Sequence, residues 1–320
     1  MIDRNSLVHD DSFEEEARLI DEQIRQMRRS WLRDHMTLIY IAAGLLVAVL
    51  VFFGIKWYND SNNPLTRFIG ASAKDLSTSF TFHITAEKDG SPVMAYAGTA
   101  RFNPSSQSLS VVYDADYVDY TYRSVLCTDG EDSYKGNFYQ GQWTVSDCTD
   151  RVHEFFDFFT DYRSGSFDSG AFLRFTGLNR HLYADELKSF VGKLRSRLSG
   201  DSDIATITSA ENDGTTVFTY NISFKELLEM IRTQGASIFY TSLSYDKFVE
   251  RIDRSADRIE DVRCSFTYTI NASGYLSAME LSLDTGSSRY AVAFSMTDFG
   301  NAEPVIPDGF YTAAGISKPQ

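Results

Sequence analysis

The residues able to do chemistry are few and scattered. Past the first sixty positions the histidines are His83, His153 and His181. His153 and Asp157 stand four apart, a spacing that puts both on one face of a helix. No third ligand follows at a recognisable interval, so no metal centre is expected. The chain has no Gly-x-Ser-x-Gly elbow, no His-Glu-x-x-His pair, no phosphate loop and no dinucleotide fingerprint. No catalytic residue and no cofactor are therefore assigned, and the chain reads as a non-enzyme. Cys127 and Cys148 are the candidates for a disulfide across neighbouring strands, which an oxidising exterior permits. Closing that loop would stabilise by about 3 kcal/mol on the chain-entropy argument. The competing reading is two buried thiols. Cys264 falls on the apolar side of its strand pattern and reads as core.

Binding chemistry is better represented, in two aromatic and aliphatic stripes. Phe155, Phe158, Phe159 and Tyr162 share one face of a helix expected over 151–162. They are candidates to line or lid a hydrophobic cavity; ordinary core packing is the alternative. Phe13, Ile20, Ile24 and Met27, with Ala17 and Trp31, recur at spacings of 4 and 3, a seam of just under three heptads. Ser12 and Glu15 form a capping box at its start. Acidic residues come first and arginines last, as the helix dipole favours. A helix this short is marginal unless its stripe is covered. The occupant is a cytoplasmic partner, a second copy of the chain, or the lipid surface.

The elements that must position these stripes begin with a membrane segment. Residues 36–55 carry no charge, and twenty helical residues span about 30 Å, the thickness of a bilayer core. Lys56, Trp57 and Tyr58 follow as interface anchors. A 35-residue leader is too long for a cleaved signal peptide, and no small-residue cleavage pattern follows, so the segment reads as an uncleaved signal anchor. Arg25, Arg28, Arg29 and Arg33 outnumber Lys56 and Arg67 on the far side. The positive-inside rule therefore puts the N-terminus in the cytoplasm and the rest outside a cell membrane.

With 24 Phe, 18 Tyr and only 6 Pro, the remainder has the composition of a folded, sheet-rich body. Its formal net charge of −14 repels phosphate backbones and excludes nucleic acid as a partner. Alternation of period two marks strands at 80–86, 93–102, 109–117, 120–127 and 132–139, with another opening at Trp143. Helical periodicity follows at 151–162 and 183–198. A strand pair at 204–209 and 215–222 leads into a helix capped by Ser223 and Glu226, and 245–259 reads as a further helix. Three alternating strands then run from Val262 to Met296. Strands, helices, strands is an α+β order: a curved antiparallel sheet, a half-open barrel, covered on one face by helices. The expected division is a leader at 1–35, a transmembrane helix at 36–57, a linker at 58–64, an extracytoplasmic domain at 65–312 and a tail at 313–320.

This outline resembles the lipoprotein-carrier fold of LolA, LolB and the LppX/LprG group. Residues 79–86 look like its first strand, and Asp129-Gly130 through Tyr134, then Trp143, are similar to its central strands. Phe218–Ile222 entering the helix at Ser223, and Phe294–Phe299 followed by Pro304-Val305-Ile306-Pro307, match in kind. The likeness covers about residues 65–312 and is one of pattern. Members of that group are secreted or lipid-anchored, whereas this chain keeps a transmembrane helix. The resemblance implies a greasy cavity between sheet and helices. The expected function is binding of a hydrophobic ligand, a lipid or lipoprotein, by a domain tethered in the cell envelope. The alternatives are a single-pass, anti-sigma-like signalling regulator working through the Phe13–Trp31 stripe, and a structural envelope protein.

Overall fold

Each run of alternating apolar and polar residues forms a strand in the computed structural model, and Asp-Gly or Gln-Gly pairs turn several of the chain reversals. The structure describes residues 64–118, 120–163, 168–176, 182–198, 202–234, 237–238, 245–246, 249–250, 262–286 and 288–317, all within one compact unit, Phe53–Gln320. Helix α1 (Pro64–Asp75) precedes a six-strand meander: β1 (Ser79–Lys88), β2 (Ser91–Asn103), β3 (Ser108–Tyr117), β4 (Thr121–Asp129), β5 (Asp132–Tyr139) and β6 (Gln142–Asp147). Helices α2 (Thr149–Arg163), α3 (Ser169–Thr176) and α4 (Ala184–Leu198) follow, then β7 (Ala205–Asn212), β8 (Thr215–Ser223) and α5 (Phe224–Gln234). Strands β9 (Arg263–Ile270), β10 (Leu276–Asp284) and β11 (Arg289–Thr297) lead to α6 (Asp308–Ala314).

The eleven strands among the described residues join one antiparallel, curved sheet in the order β6-β5-β4-β3-β2-β1-β11-β10-β9-β8-β7. Two meanders thus meet where β1 pairs β11, with Phe82 opposite Met296. The outer strands β6 and β7 do not pair, so the sheet is unclosed. Tight reversals come from consecutive positive φ angles, 53° and 77° at Asp89-Gly90 and 49° and 74° at Asp213-Gly214, the twist that hairpins favour.

Gly98 has a different role. A Cβ there would lie 2.2 Å from the Val112 carbonyl oxygen and 2.6 Å from Tyr113 Cβ, so β2 and β3 approach more closely than any side chain allows. Gly98→Ala is expected to lower the unfolding free energy by about 1–3 kcal/mol, read as a shift in the urea midpoint.

Strand register sorts the side chains into two faces. One carries Phe80, Phe82, Ala100, Phe102, Leu109, Phe266 and Tyr268, and helices cover it. Phe68 of α1 meets Phe266 and Tyr268 edge-on at 5.8 and 4.8 Å. Phe155 of α2 meets Phe102 at 5.9 Å, beside the buried Leu109, Val152 and Phe156. Helix α1 is bolted at both ends. Tyr268 Oη donates to the Pro64 carbonyl at 2.6 Å, and Arg67 donates to Thr216 Oγ1 at 2.8 Å. At the other end, Lys74 donates to the Ser273 carbonyl and the Leu276 amide donates to Asp75 Oδ1 at 3.2 Å. Helix α5 starts on the expected cap, with the Glu226 amide donating to Ser223 Oγ at 3.4 Å.

Two expectations need correction. Helices do not keep to one face: α6 lies on the other, where Phe310 packs with Val125 and Cys127. Residues expected to form the end of the domain and its tail are therefore a helix that seals the back of β3–β6. Helix α3 was also unforeseen; both it and α6 are only two turns long, too short for periodicity to announce. Among the described residues no helix is long and apolar enough to cross a membrane. The expected span at 36–55, the leader stripe of Phe13, Ile20, Ile24 and Met27, and most of the helix expected at 245–259 lie outside the described residues.

Candidate apolar binding face

The helix-side face changes character across the sheet. Register places Tyr96, Ile84, Phe294 and Met279 in one row on adjacent strands β2, β1, β11 and β10. The next row holds Met94, Ala86, Val292 and Leu281. At the β9 end these rows run into Tyr268 and Phe266, which are buried under α1. Away from α1 the same face opens: Ile84, Tyr96, Phe294, Met279 and Leu281 are half-buried, and Val292 is 41% exposed. Contiguous exposed apolar patches rimmed by polar residues are the kind of surface that binds ligands, membranes or partners.

At its β3–β4 end the patch becomes phenolic. Tyr96 and Tyr113 meet edge-on at 5.6 Å, and Tyr117 and Tyr122 stack at 6.1 Å. The hydroxyls of Tyr96 and Tyr117 are hydrogen-bonded to each other, and the Tyr122 ring meets that of Tyr113 edge-on at 6.5 Å. Burial, the largest cause, pushes Tyr96, Tyr117 and Tyr122 above the ordinary tyrosine range. Those three phenols therefore stay neutral and keep their O–H donors. Ser124, opposite Tyr113 in register, is 1% exposed and its hydroxyl has no hydrogen-bond partner.

The stripe expected on α2 is placed one step around the helix. Phe156 and Phe159, each 1% exposed, form its buried line with Val152. Phe155 and Phe158 are half-buried. Phe155 stacks on Phe159 at 6.2 Å, and Phe158 meets Phe172 of α3 at 6.0 Å. These four rings fill the space among α2, α3 and the sheet; the backbone of Tyr162 belongs to α2, and its side chain is outside the described residues. Phe156 escaped notice because Phe occupies positions 155, 156, 158 and 159, so every phase of the helix offers a ring.

The three cysteines are free thiols, and the pairing expected of Cys127 with Cys148 is not formed. Cys127 packs into the back-face cluster with Phe310, whereas Cys148 packs against the helix-side cluster of Leu109, Val152 and Phe156. Burial pushes Cys127 up to about 11 and Cys264 up to about 12, so neither supplies a thiolate nucleophile. His153 and Asp157 are both exposed on α2.

On the opposite face, an open trough of about 210 Å³ crosses β1, β11, β10 and β9, lined by His83, Thr85, Thr267, Thr269, Glu280 and Ser295 among others. Its lining mixes threonine and serine with Ala278, Ala293, Met279 and Phe294, and none of the phenols belongs to it. Neither a protein-family model nor a curated protein matches the chain. The unclosed, curved antiparallel sheet is compatible with a lipoprotein-carrier-like fold.

Proposed function

We propose that this chain binds a hydrophobic ligand of the lipid acyl class on the helix-side face of its sheet, without catalysing a reaction, while its N-terminal segment holds it at a cell membrane on the extracytoplasmic side. The observation that supports this reading is the pair of half-exposed apolar rows through Ile84–Phe294–Met279 and Ala86–Val292–Leu281. Across β2 to β10 a row covers three strand spacings, about 14 Å, a length suited to a medium alkyl chain. Each methylene removed from water contributes about 0.8 kcal/mol. A chain lying along one row thus offsets the association cost of at least 4 kcal/mol with a few carbons to spare. The apolar side chains already stand in place on paired strands, so the face requires little ordering on binding.

The test uses the full-length chain in mild detergent with a photoreactive fatty acid. The expected result is labelling mapped to β1, β10 and β11, falling at least tenfold in Phe294→Glu. Labelling confined to residues 36–55, or unchanged by that substitution, would overturn the reading.

A further inference from the structure

Resting on that apolar-ligand reading, we propose that the phenol knot of Tyr96, Tyr113, Tyr117 and Tyr122 is a head-group subsite. It takes the uncharged, hydrogen-bonding head of an amphiphile, a hydroxyl or an ester, whose chain lies along Ile84, Phe294 and Met279. Continuity is the first argument. Tyr96 is the direct cross-strand neighbour of Ile84, so a ligand leaving the apolar row at β1 arrives at the phenols on the next strand. The division of chemistry is the second. The row from Ile84 to Met279 has no polar side-chain group, whereas the knot gathers four phenols through the Tyr96–Tyr117 hydrogen bond and the ring contacts of Tyr113 with Tyr96 and of Tyr122 with Tyr113 and Tyr117. Each phenol is one donor and an acceptor, so the bonded Tyr96–Tyr117 pair still has one O–H to give. Phenylalanine would serve packing alone, without the desolvation cost of the hydroxyls.

The third argument is Ser124. Its hydroxyl, buried on the same face and opposite Tyr113, is unsatisfied, and a buried polar atom of that kind calls for a partner. Charge then selects the head. Asn137, opposite Ser124, is uncharged. Asp114 and Arg123 pair with each other at 2.7 Å on the far face of the sheet. Lys88 lies over the Tyr290 ring. Lys135, one row away on β5, is the remaining charge on this part of the face among the described residues. An anionic head would meet one exposed lysine on a chain of net charge −14; an uncharged head matches donors and acceptors without a counter-ion.

The experiment is competition against the photoreactive fatty acid on the full-length chain, with three ligands of equal chain length: a monoacylglycerol, a lysophosphatidylglycerol and an alkane. The monoacylglycerol is expected to compete about tenfold better than either of the others. Tyr117→Phe and Tyr122→Phe should each remove most of that advantage while leaving competition by the alkane unchanged. If the alkane competes but the tyrosine variants keep the head-group preference, the subsite is overturned and the apolar-ligand reading stands. Preference for the anionic ligand also overturns it. If the alkane fails to displace the probe and Phe294→Glu leaves labelling unchanged, the apolar-ligand reading itself falls.

Discussion

Replacing Phe310 with alanine is expected to lower the unfolding free energy by about 3–5 kcal/mol, the range for deleting a buried aromatic ring. Phe310 is 0% exposed. It meets Trp143 edge-on at 5.4 Å, packs with Val125 and Cys127, and lies directly on β5 because Gly136 has no side chain beneath it. The rest of α6 cannot compensate. The helix has seven residues, its N-cap is Pro307 with no side-chain cap, and it ends at Gly315 with φ 71°. A helix of that length has no stability apart from its packing. Losing the ring should therefore release the C-terminal segment and wet the back of β3–β6. Urea unfolding of the full-length chain measures the cost, and a red shift of Trp143 emission at low urea reports the release. Gly136→Ala provides an independent check with Phe310 retained: its Cβ would stand 2.6 Å from Phe310 Cε2, and the expected loss is about 1–3 kcal/mol. A cost below about 1 kcal/mol for Phe310→Ala would mean that α6 is an ornament on the back face and not its cover.

Asp75 makes stability fall as pH rises. It is 3% exposed, its Oδ1 accepts from the Leu276 amide, and its Oδ2 has no hydrogen-bond partner. Burial, outweighing that amide and the neighbouring Lys74, pushes its carboxyl from 3.8 up to about 8. Between those two values the unfolded chain has lost the proton and the folded chain keeps it. The folded state binds more protons, so stability decreases with pH through that window and is fully present only below about 4. The slope approaches 1.4 kcal/mol per pH unit at its steepest, and a total of a few kcal/mol is expected by pH 8. Asp75→Asn keeps the acceptor for Leu276 and cannot ionise. Its advantage over the wild type should be small near pH 4 and grow to a few kcal/mol at pH 8. Urea midpoints of both chains at pH 5, 6.5 and 8 measure it; parallel profiles would reject a buried neutral carboxyl. The physical consequence is local, since Asp75 pins the C-terminal end of α1 to the β9–β10 turn, and its ionisation would loosen that joint first.

What was legible in the sequence was local. Period-two alternation marked β1, β3, β9, β10 and β11, because one face of each is drier than the other. Asp89-Gly90 and Asp213-Gly214 marked hairpins, because only certain residues accept positive φ. Ser223 with Glu226 marked a helix start; of the stripe Tyr183, Leu187, Phe190, Val191, Leu194 and Leu198, the last five form the buried side of α4, while Tyr183 precedes the helix and is exposed. On α2 the same rule failed, since rings at 155, 156, 158 and 159 leave the phase undetermined until the helix docks. In β4 both parities are apolar, with Val125 and Cys127 alternating against Tyr122 and Leu126. That pattern is the trace of burial on both faces, but it does not say that a helix 180 residues later supplies the second cover.

The amino-acid order by itself determined the strands and the longer helices, the antiparallel plan, the net charge of −14 and the charge-free segment at 36–55. It did not gather the site. Tyr96, Tyr113, Tyr117 and Tyr122 each read as an unremarkable half-buried strand residue, and Ile84 and Phe294 are separated by 210 positions. Only the pairing of β1 with β11 and the registers of β2, β3 and β4 bring them onto one face, and register is a property of which strands pair. The tertiary structure decided that pairing, in which Phe82 of β1 stacks on Phe294 of β11 at 6.3 Å, a contact that no local pattern encodes.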